Sequence, residues 1–127
     1  MPRPVHFEIQ ASDVGAVRTF YEDVFGWTFE KFGDVDYWVI NTGDEPTGVN
    51  GGLLPRNSPA PKPGDGVNAY VAVIGVGDCQ EYFDRAISAG GTEAMPVTAM
   101  PGVGVLAYVK DPDGNLFGII QPEPGSG

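Results

Sequence analysis

Residues 4–10, Pro-Val-His-Phe-Glu-Ile-Gln, alternate in polarity. Val5, Phe7 and Ile9 fall on one face and His6, Glu8 and Gln10 on the other. That is the two-residue period of a strand with one buried face. Ser12 or Asp13 then offers a helix N-cap. Val14, Val17, Tyr21, Val24 and Phe25 recur at helical spacing, and Gly26 is placed to end that helix. Residues 27–31 and 36–41 read as two strands around a Gly33-Asp34 turn, and residues 49–54 as another.

Residues 55–66 hold four prolines and two glycines, which exclude helix and interior strand and predict a semi-extended joint. The pattern then repeats. Residues 67–73 alternate as a strand. Asp78 and Glu81 form an Asp-x-x-Glu capping signal. Cys79, Tyr82, Phe83, Ala86 and Ile87 make a helical apolar stripe, closed by Gly90-Gly91. Strands follow at 93–98, 103–110 and 116–121, the last two separated by Asp111-Pro112-Asp113-Gly114-Asn115, a turn sequence. The expectation is an α+β chain, a single domain over 1–127. Module one covers about 4–54, the linker 55–66 and module two about 67–121. Two tandem β-α-β-β-β modules related by a pseudo-two-fold would form a cup-shaped mixed sheet around a central cavity. The apolar strand faces would pack on the helices, and the polar face carrying His6 and Glu8 would line the concavity.

Composition narrows the partners. Seventeen acidic residues against seven basic ones give a formal charge of −10. Nucleic acid and anionic membranes both demand basic patches, so neither is expected as a partner. A cationic or neutral small-molecule ligand suits the charge. Cys79 is the only cysteine and His6 the only histidine, so no internal disulfide and no Cys/His zinc spacing can arise. No apolar run reaches the length of a membrane span, and residues 1–8 lack an apolar signal core. The expected compartment is the cytoplasm.

Val5-His6-Phe7-Glu8-Ile9 followed by Phe20-Tyr21-Glu22-Asp23-Val24-Phe25-Gly26-Trp27 resembles the opening of the vicinal oxygen chelate superfamily. That superfamily includes glyoxalase I, bleomycin-resistance proteins, fosfomycin-resistance enzymes and extradiol dioxygenases. Asn50-Gly51-Gly52-Leu53, Pro101-Gly102-Val103-Gly104 and, most strongly, residues 110–118 (Lys-Asp-Pro-Asp-Gly-Asn-Leu-Phe-Gly) resemble further segments of its small glyoxalase-like members. The resemblance implies the paired-module fold and leaves the reaction open, because one scaffold hosts many chemistries. It also implies where a metal would sit, with one ligand on the first and one on the last strand of each module. By that resemblance His6 takes the first position, Asn68 the second module's first, Gly118 its last, and Gly51 or Gly52 the remaining one. The repeat offsets instead point to residues 54–56, which also lack a metal donor. Glycine brings no donor, so no metal and no other cofactor is expected, unless Glu8 is recruited.

His6 then reads either as a hydrogen-bonded cavity histidine or as an acid, base or ligand contact. Glu8 shares its face and reads either as a carboxylate paired within the fold or as an acid–base group. Asn68 and Tyr70 share a parity on the strand expected at 67–73 and are candidate ligand-binding residues beside His6 and Glu8. Trp27, Phe29, Tyr37 and Trp38 can be core or lining. Adjacent strand residues face opposite ways, so at most one of Tyr37 and Trp38 can look inward. Cys79 lies on the stripe of the second helix and reads as a core residue. The leading expectation is a metal-free, bleomycin-resistance-like binder of a small organic molecule, working as a homodimer because each half-sheet leaves edges a second copy can cover. The alternatives are a metal-free isomerase, lyase or cyclase using Glu8 and His6, a metal-dependent lyase or dioxygenase, and a partner-binding module.

Overall fold

A computed structural model describes residues 2–44 and 47–123. The elements are β1 (Arg3–Ala11), α1 (Val14–Phe25), β2 (Thr28–Lys31), β3 (Trp38–Asn41), β4 (Gly51–Pro55), β5 (Val71–Gly75), α2 (Cys79–Ser88), β6 (Thr92–Met100), β7 (Gly104–Lys110) and β8 (Leu116–Pro122). The fold class is α+β and the β-α-β-β-β order occurs twice, as the periodicity predicts. Two compact units result: His6–Tyr70 is one, and the chain from Val71 onward, with the residues up to Val5, is the other. The strand orders are β2-β3-β4-β1 and β5-β8-β7-β6. In each, the first strand of the repeat lies parallel beside its last, and the other pairs are antiparallel.

In the unit His6–Tyr70, Asp13 caps α1 by accepting from the Ala16 amide at 3.0 Å. Gly26 ends the helix at φ 72°, and its amide donates to the Glu22 carbonyl. A residue with a Cβ would be strained there. Ile9, Ala11, Ile40 and Leu53 form the core, and Val14, Val17 and Tyr21 of α1 pack on it. Ile40 and Leu53 are wholly shielded from solvent, each contributing roughly 1.5–3 kcal/mol of burial. The apolar face of β1 therefore covers the helix, as the alternation requires. Arg18 extends from α1 with its guanidinium 4.8 Å from the centre of the Trp38 ring.

In the other unit, Asp78 caps α2 by accepting from the Glu81 amide at 3.1 Å. Cys79, Ala107, Val109 and Ile119 form its core, against Tyr82, Phe83 and Ala86 of α2. Cys79 is a buried free thiol within that core. Residues 111–115 make the β7–β8 turn. The Asp111 carboxylate accepts from the amides of Asp113 and Asn115 and from the Asn115 side chain at 2.9–3.2 Å.

One strand departs from expectation. Alternation runs from residue 67, but β5 starts only at Val71, and Val67 is 98% exposed. The ladder with β8 joins Val73, Ile74 and Gly75 to Gly118, Ile119 and Ile120. Alternating polarity without a neighbouring backbone to bond does not make a strand. Residues 67–70 are consequently irregular chain, and Asn68 and Tyr70 do not share a strand face.

Candidate functional site

β1 carries His6 and Glu8 on one face because its period is two. The parallel register sets Phe7 beside Gly51 and Glu8 beside Gly52. β3 adds Val39 opposite Gly52 and Ile40 opposite Gly51. Tyr37, two residues before Val39, shares the Gly52 face. Its backbone is pinned at the end of the β2–β3 hairpin: the Tyr37 amide donates to the Val35 carbonyl and the Phe32 amide to the Tyr37 carbonyl, both at 2.8 Å.

The phenol of Tyr37 lies over Gly52, where a Cβ would overlap its Oη and Cζ atoms. From there Tyr37 Oη reaches His6 Nε2 at 2.8 Å and donates to Glu8 Oε2 at 3.2 Å. On the other face the Phe7 ring covers Gly51, whose missing Cβ would come within 2.6 Å of it. The adjacent glycines are thus a packing requirement, one aromatic ring per face. The second unit has a similar contact, since a Cβ on Gly118 would stand 3.1 Å from the Tyr108 ring.

The result is a chain of three polar side chains, His6–Tyr37–Glu8. Glu8 is 5% exposed, the buried charged residue among those described. Burial pushes the His6 pKa below its usual 6.5, against the opposing pull of the Glu8 charge, so the ring is neutral at pH 7. Burial, with the Glu8 charge and hydrogen bond adding to it, pushes the Tyr37 hydroxyl far above its usual value, so it stays a phenol. The chemistry available is hydrogen bonding and proton exchange around a neutral imidazole and a sheltered carboxyl group.

Asn68 and Tyr70 are hydrogen-bonded to residues other than His6 and Glu8. Asn68 Oδ1 accepts from Arg56 Nη1 at 3.2 Å. The same guanidinium donates to the Gln10 carbonyl at 2.9 Å and to Ser12 Oγ at 3.3 Å, tying residues 56–68 to the end of β1. The Tyr70 ring stacks on Phe7, 5.3 Å between centres, and its hydroxyl is hydrogen-bonded to that of Tyr21. Phe7 alternates to the face opposite His6 and Glu8, so Tyr70 is not brought to them. Of the four aromatics in question, Trp27, Phe29 and Trp38 pack on the core, and Tyr37 reaches the polar pair. The Tyr37-Trp38 parity narrowed the choice to one of two, and the two adjacent glycines were the signal that a ring lay over each face.

The profile of the Glyoxalase/Bleomycin resistance protein/Dioxygenase superfamily matches residues 3–119. CFP32 of Mycobacterium bovis and of Mycobacterium tuberculosis, provisionally named a glyoxylase, is 28% identical over 93% of this chain and 45% of its own length. The chain thus spans less than half of these relatives. A glyoxalase/bleomycin resistance protein/dioxygenase superfamily member from Vibrio splendidus shares the fold, with TM-score 0.63, 21% identity, and 95% of this chain and 99% of that one covered. So does the Mn(II)-bound glyoxalase of Novosphingobium aromaticivorans, with TM-score 0.58, 21% identity, and 94% and 38% covered. No helix among the described residues is long and apolar enough to cross a membrane.

Among the described residues, the donors that a divalent-metal centre needs are not gathered. No group of three or more His, Cys, Asp or Glu side chains lies together among the described residues, whereas such an ion takes three or four protein donors. In the unit holding His6 and Glu8, the last strand faces them with Gly52, and the Tyr37 phenol fills the space that a side chain there would use.

Proposed function

The chain belongs to the glyoxalase/bleomycin resistance protein/dioxygenase superfamily, and from that premise we propose that it binds a small organic molecule through His6 and Glu8, joined by Tyr37, without a bound metal. The observation that supports this best is the burial of Glu8. A buried carboxylate costs the fold several kcal/mol of desolvation even when hydrogen-bonded, as here by Tyr37, and apolar residues of similar size would serve the fold as well. Asn68 Oδ1 and the Tyr70 hydroxyl already have partners in Arg56 and Tyr21, and the proposed ligand set centres on His6 and Glu8. The neutral state of His6 beside a carboxyl group supports a second reading: a metal-free isomerase, lyase or cyclase in which the same pair exchanges protons with its substrate. The glyoxylase name of CFP32 also favours turnover.

The test is a thermal-shift screen of neutral and cationic metabolites and antibiotics, followed by calorimetry of the hits against Glu8→Gln. Weakening of at least about tenfold, or about 1.4 kcal/mol, with stability kept or raised, is expected. Unchanged affinity in a destabilised Glu8→Gln protein would assign Glu8 to the fold alone. We further propose a homodimer in the cytoplasm. Phe20, Val24 and Phe25 are more than half exposed along α1, an apolar strip that a second copy can cover. A free buried thiol suits a reducing compartment. A monomer mass by light scattering at micromolar concentration would refute the dimer.

A further inference from the structure

We propose that Tyr37 is a positioning residue that holds His6 in the Nε2–H tautomer, so that Nδ1 presents a lone pair to the O–H or N–H of a ligand. The inference rests on the reading that the ligand engages His6, and it follows from counting protons along the chain of hydrogen bonds. A phenol has one proton to give. Tyr37 gives it to Glu8 Oε2 at 3.2 Å. Towards His6, at 2.8 Å, the phenolic oxygen is then left to accept, and the donor must be Nε2–H. A neutral imidazole carries a single N–H, so Nδ1 is bare. No hydrogen bond joins Nδ1 to any described residue.

The phenolic oxygen is held in place between its two partners. The Tyr37 backbone is held by two 2.8 Å hydrogen bonds to Val35 and Phe32, and its ring rests on Gly52. Burial keeps Tyr37 protonated and His6 neutral at pH 7, so both proton counts hold there. An acceptor at Nδ1 repels a ligand carbonyl or carboxylate and welcomes a hydroxyl, amine or amide N–H. Glu8 thus acts on the ligand through Tyr37 and His6 as well as directly.

The chain has one histidine, so the full-length protein labelled with 15N-histidine gives one ring's signals. Two-bond 1H–15N correlation at pH 7.5, without ligand, reads which nitrogen holds the proton. The expected result is a single Nε2–H tautomer in the parent. In Tyr37→Phe, whose ring still covers Gly52, the two nitrogens should move towards the averaged shifts of exchanging tautomers. Glu8→Gln frees the phenolic proton to point either way and should move them in the same direction, which keeps the test valid if Tyr37→Phe fails to fold. An Nδ1–H tautomer in the parent, or an Nε2–H tautomer untouched in both variants, overturns the role of Tyr37. Either of those results leaves ligand binding itself to the calorimetry of Glu8→Gln, so the two readings fail separately.

Discussion

Gly52→Ala is the most direct perturbation of the site, because one added methyl group lands on the phenolic oxygen of Tyr37. Two relaxations are open. The ring can swing away, losing its bond to His6 and its bond to Glu8. A net hydrogen bond is worth about 0.5–1.5 kcal/mol, and one to a charged group about 1.5–3 kcal/mol. Alternatively the ring stays and β4 shifts away from β1, an overpacking cost of about 1–3 kcal/mol. The first route costs about 2–4.5 kcal/mol, and the cheaper of the two sets the loss at about 1–3 kcal/mol. For a chain of 127 residues, about 3–5 °C of Tm per kcal/mol makes this a fall of roughly 3–15 °C. Denaturant unfolding at constant m-value gives the free energy, and calorimetry the Tm. The decisive measurement is the double-mutant cycle with Tyr37→Ala. That variant loses the same hydrogen bonds but opens the space over residue 52, so adding Gly52→Ala to it should cost less than about 1 kcal/mol. A Gly52→Ala protein within about 0.5 kcal/mol of the parent, or a penalty that persists undiminished without the Tyr37 ring, would refute the account of why glycine stands there.

Two further outcomes follow from the same geometry. The His6 pKa is lowered in the folded chain, so the unfolded chain binds the proton more readily, and stability must rise with pH in that range. The contribution is complete above the ordinary value of 6.5 and is lost as pH falls from there through the lowered folded value. Denaturation midpoints of parent and His6→Gln across that window should converge towards the acid end, and parallel profiles would contradict the burial effect. Adding Mn(II) or Zn(II), or a chelator, should leave the Tm of the parent unchanged, because the donor set holds too few ligands. Elemental analysis finding about one such ion per chain, lost to chelator together with stability, would show a donor set beyond the one described.

The local rules were legible in the chain. Alternation put His6 and Glu8 on one face of β1, since successive strand side chains must point apart. The helical stripes, the Asp13 and Asp78 caps, the Gly26 stop and the Asp111 turn all follow from interactions within a few residues. Such features form wherever the chain goes next, so a one-dimensional reading can find them. Where an outcome depended on a distant partner, the reading stopped short. Residues 67–70 alternate like a strand, yet β5 begins where its ladder with β8 begins. Asn68 and Tyr70 were claimed by Arg56 and Tyr21, 12 and 49 positions away in sequence. Parity required Tyr37 and Trp38 to diverge, but it could not choose between them. The choice was made by what each face offered: α1 and its Arg18 against Trp38 on one side, and on the other a bare glycine with His6 and Glu8 within reach of the phenol. Side-chain alternation is a property of the strand's own backbone. Which ring then becomes part of the site is settled only when β3 and β4 come together beside β1.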